Sequence, residues 1–365
     1  MPDPKISIIE VTARSDYPTM GRGINDPKPL HLWEPTLQTL LKQTEKSFEY
    51  VVVDLFYDER PDYFKDHNYG FRIKHVPVMP NPWHEGKLCQ ICHQFNTGII
   101  HADGELLYFQ ADSGMYPPWL LWNLWKRYQE GHFISLGFGA DVTYGPKELQ
   151  DFARDQVVPT DWYRFLDFYG HIQMDHRYNK LFEGNNTNFS IIPPSWYYGS
   201  STASLEAMLK INGFDQAFDP GTTESDIDVG NRLDLAGYKL AMARECYSIE
   251  AYADKWHNAM KKPEVLCSHA LMLYNKATGR VRANESFPGS EMIDEKIINL
   301  SCRRLCEVIP TCRTLPHRGP FFNKNEPEAY NLWRNVASQE SINLQYERED
   351  RIDGSNYTEG TFVNI

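Results

Sequence analysis

The sequence lacks the long apolar runs and the clusters of basic residues that mark two large classes of protein. No stretch of the 365 residues reaches the roughly 18 consecutive apolar residues of a membrane span. The N-terminal segment has no basic region followed by an apolar run, so it does not resemble a secretion signal. The formal charge of −12 argues against an extended surface for nucleic acid or anionic membranes. These absences predict a cytoplasmic protein that has no membrane span and does not bind nucleic acid.

The number of cysteines is odd, so they cannot all pair in disulfides within the chain. The seven cysteines, with no secretion signal, indicate reduced thiols and not a disulfide framework. Cys89 and Cys92 form a C-x-x-C, but no second pair follows at zinc-finger spacing, so packing is the favoured role. A second group offers four possible metal ligands at a spacing that matches no zinc pattern: Cys302, Cys306, Cys312 and His317. For this group both a metal site and packed thiols stay open.

The first half of the chain alternates short β-branched runs with amphipathic segments, and no internal repeat is visible. The predicted strands are 5–11, 48–54, 71–78, 105–110 and 132–138. The predicted helices are 34–43, 86–102 and 117–129. This order predicts an α/β fold with a mostly parallel sheet and helices on both faces. Ligands are then expected at the carboxyl ends of the strands.

The segment GTTESDIDVGNRLDLAGYK, residues 221–239, has the pattern of a helix of about a dozen residues. Thr222 or Thr223 is the expected N-cap, and Gly237 is expected just past the end. Three carboxylates lie in its first turn, where negative charge complements the helix dipole.

Helical spacing predicts different surroundings for these three carboxylates. Asp226 is expected on the inward face, in the stripe that contains Val229. Asp228 is expected nearly opposite, in a surface i, i+4 pair with Arg232, and Glu224 at the capped end. Spacing alone leaves Asp226 as either a hydrogen-bonded structural group or a placed base.

Three stretches in combination resemble the family-2 glycosyltransferases, which have the GT-A fold. LQTLLKQTEKSFEYVVVD resembles the first helix and second strand of that family, and FNTGIIHADGELLYFQAD resembles the segment that runs into its metal-binding DXD motif. INGFD followed by SDIDVGNRLDLAGYK resembles the stretch that holds its catalytic base. The likeness covers roughly residues 5 to 240. It implies a Rossmann-like, mostly parallel sheet flanked by helices, with a C-terminal helical extension.

Carried over position by position, the resemblance implies a donor site and a base. Thr12 and Arg14 would lie near the donor nucleotide, and Asp54 would hydrogen-bond its base. Asp112, on the last Asp of the DXD motif, would bind a divalent cation on the donor diphosphate. Asp226 falls on the catalytic base.

Two positions depart from the family pattern. Gln110 stands where the DXD motif has its first Asp, so the side chain keeps an oxygen but loses the charge. Gln110 is still expected among the donor-binding residues. Ser225 replaces the Glu before the base, and Glu224 is a candidate to replace that acid. His257 is the expected third metal ligand, with His269 as the alternative.

The resemblance implies a metal-dependent, inverting glycosyltransferase. A Mn²⁺ or Mg²⁺ ion would neutralise the leaving diphosphate, and a carboxylate would take the proton of the acceptor hydroxyl. The expected donor is a nucleotide sugar, first of all a UDP-sugar, and the acceptor a glycan or another hydroxyl compound. A catalytically silent sugar-nucleotide or glycan-binding protein is one alternative. It is favoured by the two altered motifs, QAD at 110–112 and SD at 225–226. A nucleotidyltransferase is another, although no glycine-rich phosphate loop follows the first strand.

The expected domains are a GT-A domain at 1–255, an extension at 256–337 and a tail at 338–365, which is polar and lacks periodicity. Within the GT-A domain, 1–113 would bind the nucleotide sugar and 114–255 the acceptor. The aromatic residues dense between 162 and 198 suit a core better than a sugar platform, and both readings stay open.

Overall fold

A computed structural model gives the fold of the chain. It describes residues 3–12, 33–65, 69–79, 91–111, 114–141, 172–219, 224–250, 272, 275–276, 279–284, 343–353 and 361–363. Its strands are β1 (Ile6–Thr12), β2 (Phe48–Asp54), β3 (Arg72–Pro77), β4 (Leu106–Ala111), β5 (Gly114–Met115), β6 (His132–Ile134), β7 (Gly137–Asp141), β8 (Ile172–Met174), β9 (Phe189–Ile191), β10 (Ser201–Ser204), β11 (Lys239–Ala243), β12 (Tyr247–Glu250) and β13 (Thr361–Val363). Its helices are α1 (Trp33–Leu41), α2 (Ile91–His101), α3 (Leu120–Gln129), α4 (His176–Phe182), α5 (Leu205–Lys210), α6 (Ser225–Leu235) and α7 (Leu344–Asp353).

The main sheet has six strands in the order β10-β4-β1-β2-β3-β13. The four central strands are parallel, and the edge strands β10 and β13 are antiparallel to their neighbours. A three-stranded sheet (β6-β11-β9) and a four-stranded sheet (β5-β12-β7-β8) complete the described strands. The predicted α/β fold, with a mostly parallel sheet flanked by helices, is confirmed. No helix in the described ranges is long and apolar enough to span a membrane.

Strand β1 shows why the sheet is covered on both sides. Ile9 and Val11 belong to the core that includes Ile99 of α2. Ile6 and Ile8 point to the opposite face, where α1 and α3 supply the packing. Burying each such side chain contributes about 1.5–3 kcal/mol, which explains the nearly continuous apolar sequence of the central strands.

Most of the predicted elements match the structure within a few residues, but the single strand predicted at 132–138 is wrong. The segment forms β6 and β7, which belong to different sheets. Between them the N–H of Ser135 donates to the carbonyl of Ala241, and the N–H of Leu136 donates to that of Ser200. The chain therefore changes partners at Ser135, which an unbroken apolar pattern does not reveal.

The C-terminal arm, residues 343–353 and 361–363, packs on the main sheet and on α2. Arg348 donates to the carbonyls of Ile99 and Ile100 at the C-terminal end of α2, at 3.1 Å each. Strand β13 extends the sheet by pairing with β3. The polar pattern predicts no regular structure here because these elements depend on tertiary contacts and not on an amphipathic face.

Candidate active site

Three residues of the predicted donor site lie at the carboxyl edge of the main sheet. Thr12 and Asp54 end β1 and β2 and are paired in the parallel register. Gln110 lies one residue before the end of β4 and is paired with Glu10. The other predicted ligands lie outside the described residues: Arg14, Asp112, His257, His269, Cys302, Cys306, Cys312 and His317.

The carboxylate of Asp54 is held by protein groups on both oxygens. Arg60 donates to both, at 2.6 and 2.7 Å, His75 lies 3.0 Å from Oδ2, and the N–H of Phe56 donates to Oδ1 at 2.9 Å. Burial alone would raise the pKa of Asp54, but the hydrogen bonds from Arg60 and His75 hold it below its ordinary value. The contact of Asp54 with a donor base stays a prediction, and that contact must share or displace one of these bonds.

Gln110 and Glu10 form a buried pair one strand away. The Gln110 amide Nε2 donates to Glu10 Oε2 at 2.6 Å, and the two side chains are 1% and 0% exposed. The other amide atom of Gln110, Oε1, has no hydrogen-bond partner within the described structure. An amide oxygen is a ligand that divalent cations accept, so Gln110 fits the implied Mn²⁺ or Mg²⁺ site through Oε1. No group of three or more His, Cys, Asp or Glu in the described ranges is arranged to hold a metal.

Asp226 lies at the first turn of α6 and is partly buried. The N–H of Gly199 donates to its Oδ2 at 2.8 Å, and the N–H of Ile227 donates to its Oδ1 at 2.8 Å. Burial raises the pKa of Asp226, the nearby charge of Glu224 raises it further, and the two backbone hydrogen bonds oppose the shift.

Strand β10 brings Asp226 to the same edge as Gln110. The antiparallel register pairs Ser201 with Phe109, so Gly199 lies beside the last residues of β4. Because Gly199 holds Asp226, the carboxylate is fixed near the strand ends although it is distant in sequence.

The surroundings predicted for α6 require two corrections. The helix begins at Ser225, so neither Thr222 nor Thr223 is its N-cap, and Glu224 precedes it with a left-handed φ of +66°. The ending is confirmed, because the helix stops at Leu235 and Gly237 follows with φ +93°.

The predicted surface position of Asp228 is wrong. Its pair with Arg232 exists, at 2.7 Å, but the two side chains are 0% and 1% exposed. Asn275 donates to Asp228 at 2.9 Å, and Arg232 donates to the carbonyl of Gly213 at 2.7 Å. The helical pattern missed this because segments distant in sequence cover that face. Asp226, predicted on the inward face, is the more accessible of the two acids.

A buried arginine fixes the loop that holds Asp226. Arg177 is fully buried, and its NH1 donates to Ser135 Oγ at 2.8 Å and to the carbonyl of Tyr198 at 3.1 Å. Its guanidinium stacks 3.5 Å from the centre of the Tyr198 ring and pairs with Asp175 at 3.1 Å. Because Gly199 follows Tyr198 directly, this packing sets the direction of the N–H that holds Asp226.

The first turn of α2 is tied to the segment before α6. Asp219 accepts from the N–H groups of Cys92 at 2.7 Å and His93 at 3.2 Å, and it also contacts His93 Nδ1. Burial, then the nearby carboxylate of Asp219, raises the pKa of the Cys92 thiol well above its usual range. Cys92 is therefore protonated and packed, whereas Cys89 lies outside the described residues.

Sequence reasoning missed several residues of this site. Glu10 could have been noticed, because an acid inside a buried parallel strand is unusual. Arg60, His75, Arg177 and Gly199 carried no such pattern, since their partners are brought to them by the fold.

Comparisons with known proteins are confined to solved structures, because no protein-family model and no curated protein matches the chain. A mannosyltransferase, PcManGT from Pyrobaculum calidifontis in complex with GDP-Man and Mn²⁺, is 14% identical over 97% of this chain and 88% of its own, with a TM-score of 0.45. S. aureus TarS 1-349 in complex with UDP-GlcNAc is 12% identical over 97% and 93%, with a TM-score of 0.49. The same TarS fragment in complex with UDP is 13% identical over 98% of this chain and 95% of its own, with a TM-score of 0.48. Likeness at this level does not carry an activity from one chain to another, so function depends on the site.

Proposed function

We propose that this chain is a metal-dependent, inverting glycosyltransferase of the GT-A fold, which moves a sugar from a nucleoside-diphosphate donor to an acceptor hydroxyl. One observation carries the proposal. The Asp226 carboxylate is held by Gly199 at the same sheet edge as Thr12, Asp54 and Gln110. In parallel sheets this edge is where ligands bind. In this proposal residues 1–113 bind the donor and residues 114–255 bind the acceptor.

Asp226 acts as the general base. The acceptor oxygen attacks the anomeric carbon opposite the diphosphate, its proton passes to Asp226, and the electron pair of the broken bond leaves with the diphosphate. The raised pKa of Asp226 brings the carboxylate closer to the working pH, and the Gly199 N–H fixes its direction. Such proton transfer contributes roughly 10²–10⁴-fold to the rate. A single displacement inverts the anomeric centre.

The donor is held by the strand ends. Thr12 and the Asp54–Arg60–His75 group border the nucleoside side of the edge. When bound, Mn²⁺ or Mg²⁺ neutralises negative charge on the leaving diphosphate. Gln110 and Asp112 would hold it, with His257 as the proposed third ligand.

Slow donor hydrolysis tests the proposal without knowledge of the acceptor. The purified chain is incubated with UDP- and GDP-sugars, with Mn²⁺ or with chelator, and nucleoside diphosphate release is followed by mass spectrometry. We expect release from at least one donor with Mn²⁺, a UDP-sugar first, and NMR should show the free sugar with inverted configuration. Binding without release would indicate the silent binding protein, and a retained anomer would exclude the inverting mechanism.

A further inference from the structure

We infer that Trp196, Tyr198 and His176 bind the acceptor beside Asp226, and that this acceptor is a carbohydrate. The inference rests on the proposed function, because it takes Asp226 as the base and names the class of molecule that gives up the proton. The sugar ring lies with its C–H face against these three side chains and with one hydroxyl toward the carboxylate. The three side chains together are called the aromatic platform.

The SWYYG stretch, residues 195–199, contains one core aromatic residue and two at the surface. Tyr197 is 1% exposed, and its hydroxyl donates to the carbonyl of Thr202 at 2.9 Å. Trp196 and Tyr198, on either side of it, are only partly buried, and His176 is exposed. Packing of the core therefore accounts for Tyr197, whereas the rings of the aromatic platform reach the surface.

The aromatic platform lies beside the proposed base. Tyr198 directly precedes Gly199, whose N–H donates to Asp226 Oδ2 at 2.8 Å. Gly230 lies one turn beyond Asp226 on the same face of α6. A Cβ atom at Gly230 would lie only 2.7 Å from the carbonyl oxygen of Pro194. The face of α6 that carries Asp226 therefore packs directly on the segment that carries the rings.

The rings of the aromatic platform are arranged as a surface with a wall at one side. The guanidinium of Arg177 lies 3.5 Å from the centre of the Tyr198 ring and covers one of its faces. The planes of Tyr198 and His176 differ by 23°, and the Tyr198 hydroxyl lies 3.3 Å from His176 Nδ1, so the two rings meet at their rims. Trp196 stands at 76° to the plane of His176. Among the described residues, no other ring lies over the face of Tyr198 that is turned away from Arg177.

Buried hydrogen bonds hold the loop that presents these rings. Arg177 donates to the carbonyls of Trp196 and Tyr198. Ser135 Oγ donates to the same two carbonyls, at 3.3 and 3.1 Å. The Arg177 side chain is 0% exposed, so water does not compete for its bonds. A surface that is held in place before binding loses little conformational entropy when a small ligand arrives.

The chemistry of this surface favours a sugar over other hydroxyl compounds. A sugar ring has an apolar face of C–H groups and a rim of hydroxyls, and aromatic rings carry partial negative charge on their faces. The platform therefore attracts the C–H face, while Asp226 accepts from a hydroxyl at the rim. A lipid would need a long apolar groove, and a serine side chain has no such flat face.

The reaction of the bound sugar follows the proposed displacement. The acceptor oxygen forms a glycosidic bond to the anomeric carbon of the donor as its proton passes to Asp226. The bond from that carbon to the diphosphate breaks, and its electron pair leaves with the diphosphate.

The test is binding of methyl glycosides, measured by saturation-transfer NMR without donor. The probes are the methyl glycosides of glucose, galactose, mannose and N-acetylglucosamine, with glycerol and a serine peptide as other hydroxyl compounds. We expect saturation of the ring C–H protons of at least one glycoside, and none of glycerol or the peptide. Trp196→Leu should weaken this binding about 2- to 10-fold, as for the loss of one aromatic contact. Trp196→Phe should keep most of the affinity, because it keeps an aromatic face.

Trp122→Leu is the matched control. Trp122 is 54% exposed on α3, which packs on the face of the main sheet opposite the core of α6. This variant should bind the glycoside as the parent does. Should Trp196→Leu fail to fold, His176→Leu at its exposed position decides instead, with His176→Phe as the aromatic control.

Three results would overturn the inference. The first is the absence of saturation for every glycoside. The second is equal affinity in the parent and the leucine variant of the platform. The third is a loss in Trp122→Leu, or in the phenylalanine variant, as large as that in the leucine variant of the platform.

The outcomes also separate this inference from the proposed function. Inverting donor hydrolysis in a chain that binds no glycoside would leave the transferase proposal in place and overturn the carbohydrate acceptor. Glycoside binding that depends on Trp196, in a chain that hydrolyses no donor, would support the carbohydrate site and reject the transferase in favour of a glycan-binding protein.

Discussion

Two buried glutamates of the main sheet lie toward opposite ends of their strands and have different partners among the described residues. Glu49, near the start of β2, accepts from Ser7 Oγ at 2.6 Å and from the N–H of Asp103 at 2.6 Å, and pairs with Lys74 at 2.8 Å. Glu10, toward the end of β1, accepts from the neutral amide of Gln110. The donors and the cation around Glu49 stabilise the fold. Gln110 Oε1, beside Glu10, has no hydrogen-bond partner among the described residues and is therefore available to a ligand.

These residues belong to two clusters at opposite ends and on opposite faces of the sheet. The amino-end cluster is Ser7, Glu49, Lys74 and Asp103. The carboxyl-end cluster is Glu10, Thr12, Asp54 and Gln110. We expect changes in the first to alter stability alone, and changes around the second to alter turnover or binding.

The largest expected effect is on stability at the amino end. Lys74→Met removes the nearer of the two cations beside the buried Glu49 carboxylate, since Arg72 lies 3.8 Å away, and it removes the bond from Lys74 to the carbonyl of His101. The free energy of unfolding should fall by about 3–5 kcal/mol, as for other broken buried pairs. Urea unfolding measures the change. A loss of unfolding free energy under about 1 kcal/mol, or weakened nucleotide binding in the folded variant, would contradict the assignment of the amino-end cluster to stability alone.

The next largest effect is on turnover beside the carboxyl end. Asp226→Asn keeps the shape of the side chain but cannot take the proton, so kcat should fall about 10²-fold or more, near 3 kcal/mol in barrier height. Donor affinity should hardly change. Turnover is measured at saturating donor, as hydrolysis if no acceptor is known.

Asp228→Asn is the control on the same helix. It takes the carboxylate from Arg232, which is buried, so stability should fall by about 3–5 kcal/mol while kcat of the folded protein stays near its original value. A near-normal kcat in Asp226→Asn together with a large loss of kcat in Asp228→Asn would show that Asp228, and not Asp226, is the base.

A smaller effect is expected at the glycine that holds the base. Gly199 has φ +70° and open space around its Cβ position, so Gly199→Ala meets backbone strain alone, about 1 kcal/mol. Gly184→Ala is the matched control, with φ +69° and the same open space. Both variants should lose similar stability in thermal unfolding. Gly199→Ala should also lower kcat, because backbone strain at residue 199 displaces the N–H that positions Asp226. Equal kcat in the two variants would contradict this role.

The smallest expected effect is a shift in pH dependence. Burial raises the pKa of Asp226 and the charge of Glu224 adds to it, so activity should fall as pH drops through that raised pKa. Glu224→Gln removes the like charge, and the acid limb of the kcat profile should move to lower pH. The free energy of unfolding should change in the same pH range. A carboxyl whose pKa is raised in the folded state makes stability fall as pH rises toward that pKa. Glu224→Gln should make this fall smaller. An acid limb that stays in place or moves to higher pH would show that Glu224 does not act on the base.

The sequence predicts those parts of the molecule in which local pattern and tertiary role agree. Strand β2 matches its predicted bounds because the FEYVVVD run suits a strand buried on both faces. Thr12, Asp54 and Gln110 share one edge because parallel strands end together. The burial of Asp228 was not predictable, because Asn275, which covers it, is distant in sequence. The same holds for Arg177 and its contact with Ser135.

The antiparallel strand at the outer edge of the sheet has a consequence for synthesis on the ribosome. Val363 pairs with Ile73, so β3 has no partner on that side until the residues between them have been translated. At roughly 5–20 residues per second this interval lasts roughly 15–60 s. During that time the open edge of β3 can recruit strands from other nascent chains. Shielding of this edge by a chaperone, or slow emergence of neighbouring chains, would therefore govern the yield of correctly folded protein.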